Sequence, residues 1–288
     1  RDSSTSRGLG DVYKRQVVHE VKRLSSEGVR EFNLIAQDSS FYGRDLNDGT
    51  TLARLLKELV KIDNVKWIRL FYLYPTYFDD ELLEIITKEE KICKYVDIPL
   101  QHISDSVLRR MHRRDSSQSI KKLLKKLRNT TPYITIRTTL MVGFPGETEA
   151  DFKELLTFIK AVKFDNMGAF TYSAQDGTPA ARMVDQVTEE IKENRYHELM
   201  AAQAEISEEN NRNLIGVDTE VLVEELLDDG CGNLQAKGRA SFQAPEVDGN
   251  VYIDHPGDLR PGDFVKAHII DGYAYDLIAE RITTDRGI

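Results

Sequence analysis

The hydrophobic pattern of this chain alternates between two periods over its first two thirds. From Val17 onward, segments with apolar residues three or four positions apart alternate with short, continuous apolar runs. The spacing predicts helices over 17–27, 52–59, 79–86, 104–111, 120–127 and 149–162, and buried strands that end near 36, 73, 100, 142 and 172. The strand starts are about 30 residues apart, which is the length of a βαβ unit. The class is therefore α/β, with a parallel sheet that is either open or closed into a barrel.

The pattern changes after Pro179. Thr188 begins a long polar helix that ends near Gly216, and we interpret this helix as a connector. Short alternating runs follow at 220–223, 251–253, 264–267 and 277–278, with glycine-containing turns between them. Short strands with frequent turns predict a small, all-β barrel.

The domain organisation follows from these changes of pattern. The first sixteen residues carry almost no apolar content, so we expect a disordered or extraneous segment there. The predicted units are a parallel α/β unit over 17–187, a connecting helix over 188–215, a small barrel over 216–283 and a tail over 284–288.

Composition excludes several classes of protein. With 40% hydrophobic and 30% charged residues, the chain has the composition of a soluble globular protein. No apolar run approaches the roughly 18 residues that a membrane-spanning helix needs, and no signal peptide is visible, so we expect a cytoplasmic protein. Only two cysteines occur, Cys93 and Cys231, which excludes a disulfide scaffold or a conventional zinc site within this chain. We interpret Cys93 as a packed thiol and Cys231 as a turn residue.

The net charge of −9 is unevenly distributed. Residues 216–282 hold 14 of the 48 acidic residues but 5 of the 39 basic ones, which leaves 34 of each in the remainder. The whole excess of negative charge therefore lies in the predicted small barrel. Such a surface repels nucleic acid and attracts a basic partner, although solubility alone would also explain it.

The most informative segment is RTTLMVGFPGET, residues 137–148. A buried strand runs into Gly143-Phe144-Pro145-Gly146, and Thr148 and Asp151 follow with the spacing of a capping box. Glycines let a backbone approach a ligand closely, and N–H groups at a helix start suit a polar or anionic group. Other predicted strands also end in polar residues: Gln37-Asp38-Ser39, Tyr74-Pro75-Thr76, Gln101-His102 and Tyr172-Ser173. Because parallel strands bind ligands at their carboxyl ends, we predict a pocket at this edge of the sheet.

Six segments together resemble a known family. They are LIAQDSSFYG, LYP, DIPLQHISDSVLRRMHRR, RTTLMVGFPGET, FTYSAQDGTPA and GRASFQAPEVDG. Their sequence and order resemble the radical S-adenosylmethionine methylthiotransferases, and within them the RimO type, which modifies an aspartate of ribosomal protein S-twelve. The resemblance implies a TIM-like radical SAM barrel followed by an OB-like TRAM domain. The pairs Gln37-Asp38 and Gln101-His102, with the acidic final domain, favour this type over the tRNA-modifying MiaB type.

The resemblance also implies cofactors and a partner. The family uses S-adenosylmethionine and two [4Fe-4S] clusters, one of them held by a C-x-x-x-C-x-x-C loop after the first barrel strand. That loop belongs before residue 17 and is not found here, and Cys93 and Cys231 do not match ligand positions. We therefore expect a truncated barrel that lacks its first strand and is inactive alone. The expected partner is the basic ribosomal protein, bound by the acidic TRAM domain, with nucleic acid not a direct substrate and no membrane involved.

The resemblance suggests roles for the candidate cofactor-binding residues. Gly143, Pro145 and Gly146 would shape the backbone near the adenosine, or would only turn the chain. Arg137 would hold the cofactor carboxylate, or would be a solvated arginine at the strand edge. Tyr172 would form a wall of the pocket, or would close the barrel.

Two further pairs complete the candidate set. Gln37 and Asp38 would contact the methionine amino group, or would cap a turn. Gln101 and His102 would line the ribose or substrate side, or His102 would be a hydrogen-bonded structural residue. The basic stretch 109–114 is interpreted as a solvated helix face, and Glu147 and Asp151 as charges at a helix start.

Two alternative functions remain open at this point. One is a tRNA-modifying enzyme of the MiaB type, for which a basic TRAM domain would be expected. The other is a non-catalytic binding module that keeps the pocket and the small barrel without a cluster.

Overall fold

A five-stranded parallel sheet forms the centre of the first unit. The computed structural model describes residues 3–46, 48–228 and 234–283. Strands β1 to β5 lie in chain order across the sheet, and each neighbouring pair is parallel: Glu31–Leu34, Trp67–Leu70, Ile92–Asp97, Thr135–Val142 and Asn166–Thr171. The predicted α/β class and parallel sheet are therefore confirmed.

Seven α-helices occur in the described part of the chain. They are α1 (Ser3–Ser26), α2 (Leu52–Leu59), α3 (Asp80–Lys88), α4 (Asp105–Arg110), α5 (Ser117–Arg128), α6 (Glu149–Val162) and α7 (Glu189–Arg212). The side chains of Thr51, Asp79, Ser116, Thr148 and Thr188 each accept a backbone N–H three residues on, which explains where these helices begin. The capping box predicted for Thr148 and Asp151 is confirmed.

The first helix differs from the prediction. We expected disorder before residue 17, but α1 begins at Ser3. No proline interrupts residues 3–26, so the helix from Val17 continues toward the amino terminus without the apolar stripe that the prediction required.

The two faces of the sheet pack against different partners. Ile68, Leu70 and Val96 join the helices in one large apolar core. On the opposite face, Trp67 and Tyr95 pack with Ala244, which belongs to the C-terminal unit. Alternation along each strand thus places the helices on one side and the C-terminal unit on the other.

The C-terminal unit is a closed five-stranded barrel. Its strands are β6 (Asp218–Asp228), β7 (Leu234–Ala240), β8 (Val251–Asp254), β9 (Phe264–Gly272) and β10 (Leu277–Arg281), in the order β10-β8-β7-β6-β9. The predicted small β-barrel is confirmed, although the sequence pattern did not identify β7. Cys231 lies outside the described residues.

Candidate functional site

The turn after β4 is shaped by the protein's own side chains. Gly143 has φ 74° and Gly146 has φ 79°, a conformation that favours glycine. A Cβ atom on Gly143 would lie 2.2 Å from Cγ of Lys192, and one on Gly146 would lie 1.1 Å from Nη1 of Arg110. The close approach that the glycines permit is therefore made by α7 and α4, where we predicted a ligand.

Glu147 occupies the backbone donors of this turn. Its carboxylate accepts the N–H groups of Gly143 and Phe144, and Nη1 of Arg195 lies 3.2 Å from its Oε1. Burial raises the pKa of Glu147 to about 6, against the opposing effect of the Arg195 charge. Our interpretation of Glu147 as a charge at a helix start was wrong, whereas Asp151 does cap α6. The N–H groups of Gly143 and Phe144 are thus satisfied within the protein, and the N–H of Gly146 donates to the carbonyl of Asp185 at 2.7 Å.

A cavity of about 340 Å³ opens at the carboxyl ends of β3 and β4. Its lining consists of Gln101, Arg110, Met111, His112, Arg113, Met141, Phe144, Thr178, Pro179, Ala180 and Met183. Oε1 of Gln101 is buried and has no hydrogen-bond partner among the described residues. An unsatisfied buried acceptor on a cavity wall is a ready contact for a polar ligand group.

Tyr172 stands behind the cavity wall. It is buried, its ring meets the ring of Phe144 edge-on at 5.2 Å, and Nζ of Lys192 lies 5.4 Å from its centre. The Tyr172 hydroxyl is a second buried polar atom without a partner in the described part of the chain. Gln101 and Tyr172, together with His102, are therefore predicted site residues with a buried polar atom that has no hydrogen-bond partner among the described residues.

His102 is fully buried next to Gln101. Its Nδ1 accepts the N–H of Ser104 at 3.0 Å, which places the proton of the neutral ring on Nε2, and Nε2 has no partner within the described ranges. Burial lowers the pKa of His102 to about 4, so the ring is neutral at physiological pH. A neutral, buried imidazole is a hydrogen-bond donor here and not a cation.

The other predicted site residues lie apart from this cavity. Asp38 caps the short 3₁₀ helix at 39–41 by accepting the N–H of Phe41 at 3.2 Å, and Gln37 is exposed. Arg137 lies in the amino-terminal half of β4, with Nε 4.0 Å from Asp97 and 3.8 Å from Asp248. Its guanidinium is thus already flanked by two carboxylates, which does not support the predicted contact with a cofactor carboxylate.

A buried ionic contact joins the sheet to the barrel, and the sequence pattern did not reveal it. Glu31 lies 3.2 Å from Nε of Arg69 and 2.7 Å from Nη2 of Arg239, and Arg239 also pairs with Glu224 at 2.8 Å. Arg69 further donates to the carbonyl of Ser241 at 2.8 Å. These residues are up to 208 positions apart in sequence, so no local signal could have brought them together.

The described residues contain no ligand set for an iron–sulfur cluster. No group of three or more His, Cys, Asp or Glu side chains within them is placed to hold a metal ion. Cys93 is buried, and burial raises its pKa to about 11, so it is a packed thiol as predicted.

Comparison with known proteins agrees with this architecture. The family model of the Radical SAM superfamily matches residues 3–159, and that of the TRAM domain matches residues 215–282. The chain therefore belongs to the Radical SAM superfamily and carries a TRAM domain at its C-terminal end. The predicted recognition of a radical SAM barrel followed by a TRAM domain is confirmed.

Two relatives that share one name are similar to this chain over most of its length. The chain is 48% identical over 265 residues to the ribosomal protein uS12 methylthiotransferase RimO of Geotalea uraniireducens. The matched region covers 92% of this chain and 58% of that relative. The chain is 50% identical over 264 residues to the protein of the same name from Pelobacter propionicus, with the same two shares. The chain thus spans less than two thirds of the length of these relatives.

A solved structure supports the fold alone. The radical SAM enzyme coproporphyrinogen III oxidase (HemN) of Escherichia coli superposes with a TM-score of 0.56 at 17% identity. The superposition covers 72% of this chain and 47% of that one. No helix in the described part of the chain is both long and apolar enough to cross a membrane.

Proposed function

We propose that these residues are the radical SAM and TRAM portion of an enzyme that adds a methylthio group to the β-carbon of an aspartate in ribosomal protein uS12. The observation that carries this proposal is the identity of about half of all residues with proteins named uS12 methylthiotransferase RimO, over 92% of this chain. The matched region covers 92% of the chain, so it extends over both units.

The cavity at the strand ends fits part of the cofactor that the superfamily implies. Gln101 has an unsatisfied polar atom there, and Met141 and Phe144 provide apolar surface. These residues would hold S-adenosylmethionine, which when bound supplies the methyl group and the chemistry of hydrogen abstraction. The described residues do not fit an iron–sulfur cluster, and no step through a cluster is assigned to them.

The charge of the barrel supports a basic protein as the substrate. The 14 acidic and 5 basic residues of 216–282 give this unit the net charge of −9. A ribosomal protein that neutralises RNA carries the complementary charge, and complementary charges increase the rate and specificity of association.

The test is a modification assay on the product of the complete reading frame that contains this chain. After reconstitution with iron and sulfide, incubation with S-adenosylmethionine, a reductant and uS12 is expected to raise the mass of uS12 by one methylthio group on an aspartate. Mass spectrometry of the intact protein and its fragments measures this. Unchanged uS12 together with a methylthiolated tRNA would contradict the proposal and favour the tRNA-modifying alternative.

A substitution in the cavity tests the assignment of the cofactor site. Gln101→Met keeps the length of the side chain but removes the free acceptor, so the Kd for S-adenosylmethionine should rise about fivefold, which corresponds to one hydrogen bond of about 1 kcal/mol. Isothermal titration calorimetry measures this Kd, and Gln118→Met, on the exposed side of α5, is the matched control. Equal Kd values for the two variants would remove Gln101 from the site.

A further inference from the structure

A strongly basic surface lies on α4, α5 and the segment that joins them. Residues 105–128 hold nine basic residues and two acidic residues, a net charge of +7, so the rest of the chain carries −16. Seven of the cations are exposed, and we call them the α4–α5 basic surface: Arg109, Arg110, Arg114, Lys121, Lys122, Lys125 and Lys126. We interpreted 109–114 as a solvated helix face, but α4 ends at Arg110, and Arg113 and Arg114 lie in the segment that joins it to α5.

Three of the four lysines of α5 have no acidic partner among the described residues. Its apolar residues Ile120, Leu124 and Leu127 are buried, which turns all four lysines toward solvent. Lysines four residues apart repel each other, and α5 contains no acidic residue to offset this. Lys121, Lys122 and Lys125 form no ion pair with any described residue.

Half-exposed aromatic rings adjoin this surface. The guanidinium of Arg113 lies 4.3 Å from the ring centre of Tyr74, and Nη1 of Arg114 donates to the Tyr77 hydroxyl at 3.1 Å. The ring of Tyr77 in turn contacts Phe41, which is 40% exposed, at 5.1 Å. Cations for phosphates beside aromatic rings for unstacked bases are the combination with which proteins bind RNA.

The same surface reaches the mouth of the cavity. Arg110 and Arg113 line the cavity and also continue the row of cations that leads to α5. A polyanion on this surface would therefore lie directly beside the place where a substrate side chain enters.

We propose that the α4–α5 basic surface docks on ribosomal RNA of the small subunit. This inference rests on the proposed function, because the substrate protein would then be presented to the cavity from the surface of a ribonucleoprotein. The protein divides two tasks by charge: the acidic barrel attracts a basic protein, and the α4–α5 basic surface takes the RNA beside it. The RNA is a docking partner and not the group that is modified.

The experiment measures binding of the full chain to small ribosomal subunits, free uS12, tRNA and heparin over a range of salt concentrations. The variant Lys121→Glu/Lys122→Glu/Lys125→Glu is expected to bind small subunits at least about tenfold more weakly at low salt, with a salt slope smaller by about two to three. Binding of free uS12 should be unchanged. The control Lys88→Glu/Lys153→Glu/Lys160→Glu makes the same change of net charge on exposed residues of α3 and α6 and should leave both affinities near those of the wild type.

Two other outcomes of the binding experiment would contradict the inference. Equal losses in the two triple variants, or binding of tRNA or heparin as tight as that of small subunits, would overturn the inference. The mass of free uS12 after the modification assay reports separately on the proposed function, because that reaction requires no RNA. Thermal unfolding of both variants confirms that they remain folded.

Discussion

Replacing Glu31 by glutamine is expected to lower the free energy of unfolding by about 3–5 kcal/mol. The side chains of Glu31, Arg69 and Arg239 are all more than nine-tenths buried, and the carboxylate lies within 3.2 Å of both guanidinium groups. An amide would leave Arg69 buried without a charged partner among the described residues, whereas Arg239 would keep Glu224. Urea unfolding followed by tryptophan fluorescence measures the change, since Trp67 lies in the same interface.

An exposed ion pair between the same two units provides the control. Nζ of Lys66 lies 2.9 Å from Glu220, but these side chains are 46% and 34% exposed, so Lys66→Gln should cost about 0–1 kcal/mol. A loss below 1 kcal/mol for Glu31→Gln as well would show that the buried contact does not stabilise the assembly of sheet and barrel.

The same contact predicts a dependence on acid. Burial raises the pKa of Glu31, but the bonds from Arg239 and the charge of Arg69 outweigh it and leave the pKa below its usual value. The stabilisation is therefore fully present above the ordinary pKa of a glutamate and is lost as the pH falls through the lower value of the folded state.

The second large effect is a loss of folding stability at acid pH, which we expect from His102. Because the folded protein keeps this ring neutral down to about pH 4, the unfolded chain binds a proton that the folded chain does not between about pH 6.5 and 4. Stability is therefore lost as the pH falls through this window, by about 3 kcal/mol for this one group. In His102→Asn, whose amide oxygen can accept the N–H of Ser104, this part of the loss should be missing.

The wild type and His102→Asn are compared by the slope of the free energy of unfolding against pH. Burial raises the pKa of Glu147 to about 6, which acts in the opposite direction over part of this window, but this effect is common to both proteins. Urea titrations between pH 7 and pH 4 give the two curves, and His197→Asn on the exposed side of α7 controls for the loss of a histidine as such. Parallel curves for the wild type and His102→Asn would contradict the prediction.

Local sequence signals were sufficient for most of the fold. Apolar spacing and capping residues such as Thr148 act within one helix or strand, so they can be identified without knowledge of the tertiary structure. Strand β7 was missed because LQAKGRA contains no β-branched or aromatic residue, and its conformation is fixed by pairing with β6 and β8. The extent of α1 was underestimated because the prediction relied on apolar spacing, and residues 3–16 have no such spacing although they are helical.

The sequence identified the polar turn after β4 but not the side chains that pack against it. The turn at Gly143 and Gly146 was identified, yet the side chains that fill it are Lys192 of α7 and Arg110 of α4. Arg137 was misplaced in the same way, since its neighbour Asp248 belongs to the other unit. Which side chain fills a turn depends on long-range packing, and a local pattern does not contain that information.

The attachment of the barrel to the sheet fixes the distance between the Asp248–Arg137 contact and the cavity. Asp248 contacts Arg137 near the start of β4, whereas Met141, which lines the cavity, lies four residues further along the strand, about 13 Å away at the rise of a β-strand. Because buried contacts hold the barrel to the sheet, this separation does not adjust to the ligand. A macromolecule held near this contact therefore reaches the cavity only through a projecting segment of about four extended residues or more.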